Sequence, residues 1–201
     1  MTPCRCHARH TPRRIVLTGG PGAGKTATLE LIRQAFCAHV HVLPEAASIV
    51  FGGGFPRSRT PIVLRASQRA IFHVQRELEA TTEEDDHAIV LCDRGTIDGL
   101  AYWPGTDDML ATVGTSLRAE LARYHAVIHL RTPREGYDLT NPLRVETAAE
   151  AAAVDARIAI AWAEHPRRVE IAATTDFLAK VARAIGMVRA ELPACCRGEP
   201  Q

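Results

Sequence analysis

The sequence predicts an α/β fold in which helices flank a mainly parallel central sheet of five strands. Short apolar segments alternate with helical segments from Arg13 to about Leu192, an order typical of parallel strands that are joined by helices. A glycine-rich segment follows the first apolar strand, and a helical pattern begins directly after it. The sequence contains no internal repeat and no linker, so a single domain accounts for the pattern.

The glycine-rich segment fits the pattern G-x-x-x-x-G-K-S/T of the phosphate-binding P-loop. Glycine accepts positive φ angles, so backbone N–H groups can close around phosphate oxygens where the next helix starts. Lys25 can reach the outer phosphates, and the hydroxyl of Thr26 can bind Mg²⁺. The expected ligand is therefore a nucleoside triphosphate with Mg²⁺. The residues predicted to bind it are Gly19, Gly20, Pro21, Gly22, Ala23, Gly24, Lys25, Thr26 and Thr28. A glycine-rich turn without a ligand is the alternative, and the flanking strand and helix argue against it.

Each predicted strand is short and apolar and is followed by polar, glycine or proline residues. The strands are Ile15–Thr18, Val40–Leu43, Ala88–Cys92, Ala126–Leu130 and Val169–Ala172. The spacing of apolar residues predicts helices over residues 27–36 and about 62–81. Thr147-Ala148-Ala149-Glu150 is a capping box, which predicts that a further helix starts there and runs to about Glu164, before Pro166.

Length and composition limit the range of functions. A chain of 201 residues suits one domain, which we place at residues 13–192, between a disordered tail at 1–12 and a second tail at 193–201. The formal net charge of +1 gives no support for a nucleic-acid partner or an anionic membrane surface. No apolar run approaches the length of a membrane span, and no secretory signal is recognisable. We therefore expect a cytoplasmic protein with reduced cysteines.

The six cysteines fall into a buried group and two terminal groups. Cys37 and Cys92 stand among apolar residues and are predicted to lie in the core. The terminal groups contain Cys4, Cys6, His7 and His10 at one end and Cys195-Cys196 at the other. Together they could form a metal site or a redox pair. Because Cys-x-Cys lacks the two-residue spacing of common zinc knuckles, disordered tails without a metal are the favoured interpretation.

Acidic residues follow two of the predicted strands, at the strand ends where open α/β sheets bind their ligands. Asp93 follows the third strand, where an acidic residue usually orients Mg²⁺; the alternative is an ordinary turn residue. The next residue is Arg94 rather than the glutamate expected of mechanical ATPases, which argues against a motor. Glu45 follows the second strand and could accept a proton from a hydroxyl acceptor; the alternative is a glutamate that favours a helix amino terminus.

A long polar segment from Arg131 to Arg144 joins the fourth strand to the capped helix, and its length predicts a lid. Arginines on a lid can match the charge that develops on a transferring phosphoryl group. Arg144 is the first candidate because it stands nearest the helix start, and Arg134 is the second. The alternative for both is a solvated surface arginine. The predicted catalytic residues are therefore Lys25, Glu45, Asp93 and Arg144, the predicted Mg²⁺ ligands are Thr26 and Asp93, and Arg134 joins the nucleotide-binding residues.

With these motifs the sequence resembles the NadR-like P-loop proteins, which are often labelled AAA-type ATPase domains and include a ribosylnicotinamide kinase. The matching segments are Leu17–Thr26, Pro44–Ala47, Asp93–Gly95, Asp98-Gly99, Tyr102-Trp103, Asn141–Glu146, Trp162, His165-Pro166 and Asp176-Phe177. The resemblance implies a P-loop NTPase fold of the nucleotide-kinase type, with the first strand in the middle of the sheet. It also implies that ATP or GTP binds with Mg²⁺ through Lys25 and Thr26. The sequence has no Asn-Lys-x-Asp guanine signature, so a Ras-like base site is not predicted.

The residues and the resemblance together favour an ATP-dependent kinase. It would move the γ-phosphate to a small hydroxylated acceptor, with a nucleoside-like molecule as one form of that acceptor. The alternative is a switch that binds and slowly hydrolyses a nucleotide and signals to a protein or phosphoinositide partner. The balanced charge argues against a kinase of nucleic-acid ends. Strong acceleration of ADP release by a small acceptor would distinguish the kinase from the switch.

Overall fold

The computed structural model describes residues 6–133, 147–174 and 176–197. The described residues form five strands, seven α-helices and two short 3₁₀ helices. The strands are β1 (Arg13–Thr18), β2 (Val40–Leu43), β3 (Ile89–Asp93), β4 (Ala126–Leu130) and β5 (Arg168–Ile171). The α-helices are α1 (Lys25–Ala35), α2 (Ala46–Gly52), α3 (Pro61–Ala80), α4 (Met109–Thr112), α5 (Leu117–Leu121), α6 (Ala148–Ala161) and α7 (Phe177–Glu191). The 3₁₀ helices cover Thr96–Ala101 and Ala194–Cys196.

The strands form one parallel sheet in the order β2-β3-β1-β4-β5. β1 lies in the middle, where Ile15 pairs with Leu91 of β3 on one side and with Ala126 of β4 on the other. Because all strands are parallel, their carboxyl ends meet at one edge of the sheet, where β1 leads into the P-loop. This arrangement confirms the predicted five-stranded parallel sheet with the first strand at its centre.

Side chains of the central strand alternate between two apolar layers. Ile15 and Leu17 pack with residues of α1 and α7, whereas Val16 packs with residues of α3 and α6. All three side chains are fully buried, as expected for a central strand that is covered on both faces. Cys37 and Cys92 are buried, so their predicted place in the core is confirmed.

Local sequence signals set the helix boundaries. The N–H of Glu150 donates to the Thr147 hydroxyl across 3.2 Å, and the Glu150 carboxylate accepts from the N–H of Thr147 across 2.8 Å. This reciprocal pair is the predicted capping box, and α6 begins at the next residue. α3 begins at Pro61, a residue suited to the first turn because its missing N–H would have no helical partner.

Parts of both terminal segments pack onto the domain. The carboxyl-terminal segment forms the 3₁₀ helix Ala194–Cys196, where the sequence predicts only a tail, and Cys196 packs against the apolar layer of α1 and α7. At the other end Cys6 and His10 lie beside Cys196. Within the described ranges no helix combines the length and apolarity that crossing a membrane requires.

Candidate nucleotide-binding site

The loop between β1 and α1 has the backbone of a phosphate-binding loop. Gly19, Gly22 and Gly24 have φ angles of 142°, 73° and 87°, which favour glycine over other residues. A Cβ atom on Gly19 would lie 2.1 Å from the carbonyl oxygen of Leu130, so the loop approaches β4 too closely for any side chain. A helix of eleven residues then begins at Lys25, and its first N–H groups point into the loop.

Lys25 turns its side chain back over the loop. Its Nζ donates hydrogen bonds to the carbonyl oxygens of Gly19, across 2.9 Å, and Gly20, across 3.1 Å. Burial lowers the pKa of Lys25 to about 8; nearby Arg94 adds to this effect, and the carboxylate of Asp93 opposes it. Most of the amine is still protonated at neutral pH, so the loop holds a cation where phosphate oxygens are expected.

The two threonines at the start of α1 have different surroundings. Thr26 is exposed and lines the cleft beside the loop, so its hydroxyl is accessible to a ligand. Thr28 is fully buried, and its Oγ1 donates a hydrogen bond to the carbonyl oxygen of Gly24 across 2.9 Å. The Thr28 hydroxyl therefore supports the turn from the loop into α1, and we do not include it among the proposed ligand contacts.

Asp93 ends β3 beside the loop, as predicted. Among the described residues no group forms a hydrogen bond with its buried Oδ1 atom. Burial raises the pKa of Asp93 to about 6, although nearby Lys25 has the opposite effect. A buried carboxylate oxygen without a protein donor suits a divalent cation or a water molecule bound to one. This part of the chain therefore fits the predicted Mg²⁺ site.

Glu45 and Arg94 form an ion pair between the ends of β2 and β3. Nε of Arg94 donates to Oε1 of Glu45 across 2.7 Å, and the hydroxyl of Ser48 donates to Oε2 across 2.6 Å. Burial alone would raise the pKa of Glu45, but the charge of Arg94 and the hydrogen bond from Ser48 hold it below its usual range. Glu45 also occupies the N-cap position of α2, although its side chain forms no capping hydrogen bond with the described part of this helix.

Asp98 is the centre of a buried network that orients Arg94. Its carboxylate accepts hydrogen bonds from the Thr18 hydroxyl, from the N–H of Gly95 at 2.9 Å, from Nε1 of Trp162 at 3.2 Å and from NH1 of Arg94 at 3.3 Å. Arg94 itself has a φ angle of 71° and donates through NH1 to the carbonyl oxygen of Gly19 across 3.3 Å. The arginine thus connects the P-loop to the end of β2.

Asp155 on α6 holds the P-loop from the other side. Its Oδ1 accepts the N–H of Gly20 across 2.9 Å and lies 2.8 Å from Nε2 of the fully buried His129. Its Oδ2 pairs with Nε of Arg131 at 3.1 Å. Burial raises the pKa of Asp155, but the hydrogen bonds from His129 and Gly20 outweigh that effect and lower it. The carboxylate therefore stays ionised and fixes the backbone of the loop.

Lys180 on α7 supports the far side of the same loop. Its buried Nζ donates to the carbonyl oxygens of Ala23, across 2.9 Å, and Arg131, across 2.7 Å. Thr132 adds a hydrogen bond from its hydroxyl to the carbonyl oxygen of Pro21 at 3.2 Å. Helices distant in sequence thus fix the loop before any ligand binds.

A cleft of about 640 Å³ opens beside the P-loop, between α2, α3 and the 3₁₀ helix Thr96–Ala101. Charged residues, including Glu45 and Arg94, line this cleft together with apolar side chains such as Phe72. Tyr102 also lines this cleft, whereas Trp103 packs against a small apolar cluster of Phe72 and Met109. Of these two adjacent aromatic residues, Tyr102 is the one placed at the cleft.

The predicted lid arginines Arg134 and Arg144 lie outside the described residues. Arg131, at the start of the same segment, is described, and it pairs with Asp155 and with Glu170 at 3.7 Å. A second cleft, of about 720 Å³, lies near the amino end of β1 and is lined by Arg13, Arg14 and other residues far from the P-loop. Its place at the opposite edge of the sheet separates it from the phosphate-binding residues.

Several supporting residues could not be assigned from the sequence. Asp98 and Trp162 belong to the segments that carry the family resemblance, but nothing in their spacing shows that they meet. Asp155 and Lys180 lie within helical patterns, where a charged residue usually reads as part of a solvated face. Their burial is the signal of their role, and it is visible only in the folded chain.

A P-loop at the end of the central strand β1, with acidic residues at the ends of β3 and β2 on one side of it, defines a P-loop nucleotide-binding protein. The model of a family described as "AAA domain" matches residues 14–180, and the chain belongs to that family. This match confirms the resemblance to the NadR-like P-loop proteins. A search of curated protein sequences found no match.

Two solved structures are similar in fold. Deoxyadenosine kinase from M. mycoides with bound dATP gives a TM-score of 0.62 at 11% sequence identity, over 88% of this chain and 98% of that chain. NadR protein in complex with NR gives a TM-score of 0.71 at 16% identity, over 92% of this chain and 52% of that chain. The present chain therefore spans about half the length of the NadR protein. These similarities confirm the predicted P-loop fold of the nucleotide-kinase type.

Proposed function

We propose that this protein is an ATP-dependent kinase that transfers the γ-phosphate to a small hydroxylated, nucleoside-like acceptor, with the cytoplasm as its expected compartment. The observation that carries the proposal is the cleft of about 640 Å³ beside the P-loop, which Glu45 and Arg94 line. A protein that only hydrolyses a nucleotide needs room for a water molecule, whereas a pocket of this size accommodates a second, ring-containing molecule.

The nucleoside triphosphate would place its phosphates against the N–H groups of the P-loop and the positive end of α1. Lys25 would exchange its hydrogen bonds with the Gly19 and Gly20 carbonyl oxygens for bonds with phosphate oxygens. We propose ATP as the donor, with GTP as the alternative. The exposed hydroxyl of Thr26 and the unpaired Oδ1 of Asp93 would hold Mg²⁺. The ion would neutralise part of the phosphate charge during transfer.

The acceptor would lie in the cleft with its hydroxyl near Glu45. Arg94 keeps this carboxylate ionised, so it can accept a hydrogen bond from the hydroxyl and take its proton as the phosphate transfers. Phe72 and Tyr102 offer aromatic surfaces for a ring, and the amide of Gln68 offers donors and an acceptor for its polar edge. The names of the similar structures, a deoxyadenosine kinase and a NadR protein bound to NR, also support a nucleoside-like acceptor.

We propose that Arg144 closes over the phosphates, and Arg134 is the second candidate for this role. Arg131 is a poor substitute because its guanidinium already pairs with Asp155 and Glu170. A planar guanidinium near the transferring group can bond two phosphoryl oxygens at once. This role rests on the sequence and is tested by substitution.

The test is an acceptor screen with ATP and Mg²⁺ that measures both ADP release and the phosphorylated product. We expect one class of nucleoside-like compounds to accelerate ADP release about 100-fold or more, with one product molecule per ADP. Lys25→Ala is the control for contaminating kinases. If no small acceptor is phosphorylated, and a protein or phosphoinositide alters nucleotide hydrolysis instead, the protein is a switch and the kinase proposal is wrong.

A further inference from the structure

Four side chains with metal-ligating atoms meet at the edge of the sheet opposite the P-loop. Cys6 and His10 come from the amino-terminal segment, His39 directly precedes β2, and Cys196 ends the last 3₁₀ helix. Their potential ligand atoms all lie within 4.8 Å of one another. Because His39 stands at the amino end of β2, the cluster is separated from the nucleotide site by the length of the strands.

The individual distances match the geometry of a tetrahedral zinc site. Nε2 of His10 lies 3.5 Å from Sγ of Cys6 and 3.6 Å from Sγ of Cys196, and Nδ1 of His39 lies 3.5 Å from Sγ of Cys196. Zinc binds sulfur at about 2.3 Å and histidine nitrogen at about 2.0–2.1 Å, which at a tetrahedral angle separates the two ligand atoms by about 3.5 Å. The three sulfur–nitrogen distances are therefore compatible with ligands of one shared zinc ion.

We propose that Cys6, His10, His39 and Cys196 form a structural zinc site. Two sulfur and two nitrogen ligands are a donor set that zinc favours, and four protein ligands leave no open position for a substrate. Mg²⁺ prefers oxygen ligands, so the cluster discriminates against the metal expected at the nucleotide site.

A backbone group helps to hold one of the ligands in place. The N–H of Ala8 donates a hydrogen bond to Sγ of Cys6 across 3.4 Å. Zinc binds cysteine as the thiolate, so its binding would release the thiol protons of Cys6 and Cys196.

A zinc ion at this place would join both ends of the chain to the core. Cys196 packs against the apolar layer of α1 and α7, and His39 leads into β2. The ligands come from both terminal segments and from the start of a strand, and His39 and Cys196 are 157 positions apart. A short Cys-x-Cys motif is therefore not the pattern that forms the site.

The test uses the full-length protein in its reduced form, stripped of metal and titrated with Co²⁺ and then with Zn²⁺. We expect a single equivalent of Co²⁺ to give visible d–d bands and a sulfur-to-cobalt charge-transfer band, which Zn²⁺ then removes. Zn²⁺ at about 100 times its Kd should raise the Tm by about 5 °C or more. Triphosphate affinity should change less than about twofold, because the two sites lie at opposite edges of the sheet.

Variants test the ligand assignment. Cys196→Ser and His39→Ala should each weaken Co²⁺ binding about 100-fold or more. Cys195→Ser is the matched control: its exposed Sγ lies 4.0 Å from Nε2 of His10, and the variant should bind Co²⁺ within a few-fold of the parent. Circular dichroism and triphosphate binding verify that each variant folds. A parent protein without the cobalt spectrum and without the Tm shift would overturn the proposal, and equal losses in Cys195→Ser and Cys196→Ser would overturn the assignment of Cys196.

Discussion

Nε of Arg94 lies 2.7 Å from Oε1 of Glu45, and this ion pair connects the ends of two neighbouring strands. The same guanidinium donates a hydrogen bond to the carbonyl oxygen of Gly19, so it contacts both Glu45 and the P-loop and fixes their relative positions. Arg94 holds this place with a φ angle of 71°, a backbone conformation that costs a non-glycine residue on the order of 1 kcal/mol. Glycine would avoid this backbone strain at position 94, but it could not form the contacts that the arginine side chain makes.

The chain has two lysines, Lys25 and Lys180, and their replacement by alanine should affect different properties. Lys25 should matter for triphosphate binding and Lys180 for stability. Lys25→Ala should weaken triphosphate binding about 10-fold or more and abolish transfer, since it removes a cation from the loop. Lys180→Ala leaves two buried carbonyl oxygens without a donor and should cost about 1–3 kcal/mol of stability, which lowers the Tm by about 2–10 °C. Calorimetric titration and thermal melts measure the two quantities. Unchanged triphosphate affinity in Lys25→Ala would contradict the P-loop assignment.

Asp93→Asn should stabilise the Mg²⁺-free protein at high pH. Because the folded-state pKa is raised to about 6, the contribution of Asp93 to stability is greatest below its unfolded value of 3.8 and is lost as pH rises through 6. Asparagine avoids this cost, so the variant should gain about 1 kcal/mol, or about 2–4 °C, at pH 8 and almost nothing at pH 4. Thermal melts in buffers without Mg²⁺ compare the two proteins. The same variant should need a higher Mg²⁺ concentration for activity. A Tm below that of the parent at pH 8 would show that burial of the ionised Asp93 carboxylate does not destabilise the protein.

Glu45→Gln should separate acceptor chemistry from metal binding. Loss of the base should lower acceptor-dependent turnover about 100-fold or more, while the Mg²⁺ concentration for half-maximal activity stays as in the parent. Ser48→Ala is the matched control, because it removes the 2.6 Å hydrogen bond to Glu45 but leaves the carboxylate. Its turnover should fall only a few-fold. If Glu45→Gln and Asp93→Asn changed the metal dependence equally, their roles would have been assigned wrongly.

Asp155→Ala should disturb the P-loop from a helix that lies behind it. The substitution leaves the N–H of Gly20 and the buried ring of His129 without their acceptor. We expect a stability loss of about 3 kcal/mol, a Tm lower by about 6–12 °C and triphosphate binding weakened about 10-fold. Melts and fluorescent-nucleotide titrations test both effects. Parent-like affinity in a destabilised variant would show that the loop keeps its shape without α6.

Arg144→Ala should lower turnover about 100-fold or more, a cautious value within the range of arginine fingers, while nucleotide affinity changes far less. Arg144→Lys should restore only part of the rate, because lysine lacks the planar fork of arginine. Steady-state kinetics on both variants measure the effect. If turnover stays within a few-fold of the parent, the lid role moves to Arg134.

The sheet could be predicted because each strand is recognisable from the residues within it and directly after it. β1, β3 and β4 each contain a run of apolar residues that is followed by polar, glycine or proline residues, and the predicted bounds of all five strands agree with β1–β5 to within two residues. Glu45 and Asp93 could be located for the same reason, since the carboxyl ends of parallel strands meet at one edge. The capping box at Thr147 is likewise a signal within four residues.

The hydrogen-bond network that supports the P-loop could not be predicted from the sequence. Hydrophobic periodicity does not show which residues of different helices and loops come into contact. Helical spacing shows which face of α6 is apolar, but not that Asp155 on this helix meets Gly20, which lies 135 positions away. The terminal cysteines and histidines are a second case. Their spacing within each end fits no metal motif and favours tails without a metal, and only the fold brings Cys6 and Cys196 together.

The hydrogen bond between Asp155 and Gly20 couples the orientation of α6 to the P-loop backbone. Asp155 lies eight positions after the capped start of α6 at Thr147, a length of about 12 Å along the helix axis. A tilt of about 10° pivoting at one of these points displaces the other by about 2 Å, which is enough to break the hydrogen bond of 2.9 Å to Gly20. The backbone that would hold the phosphates therefore depends on the orientation of α6.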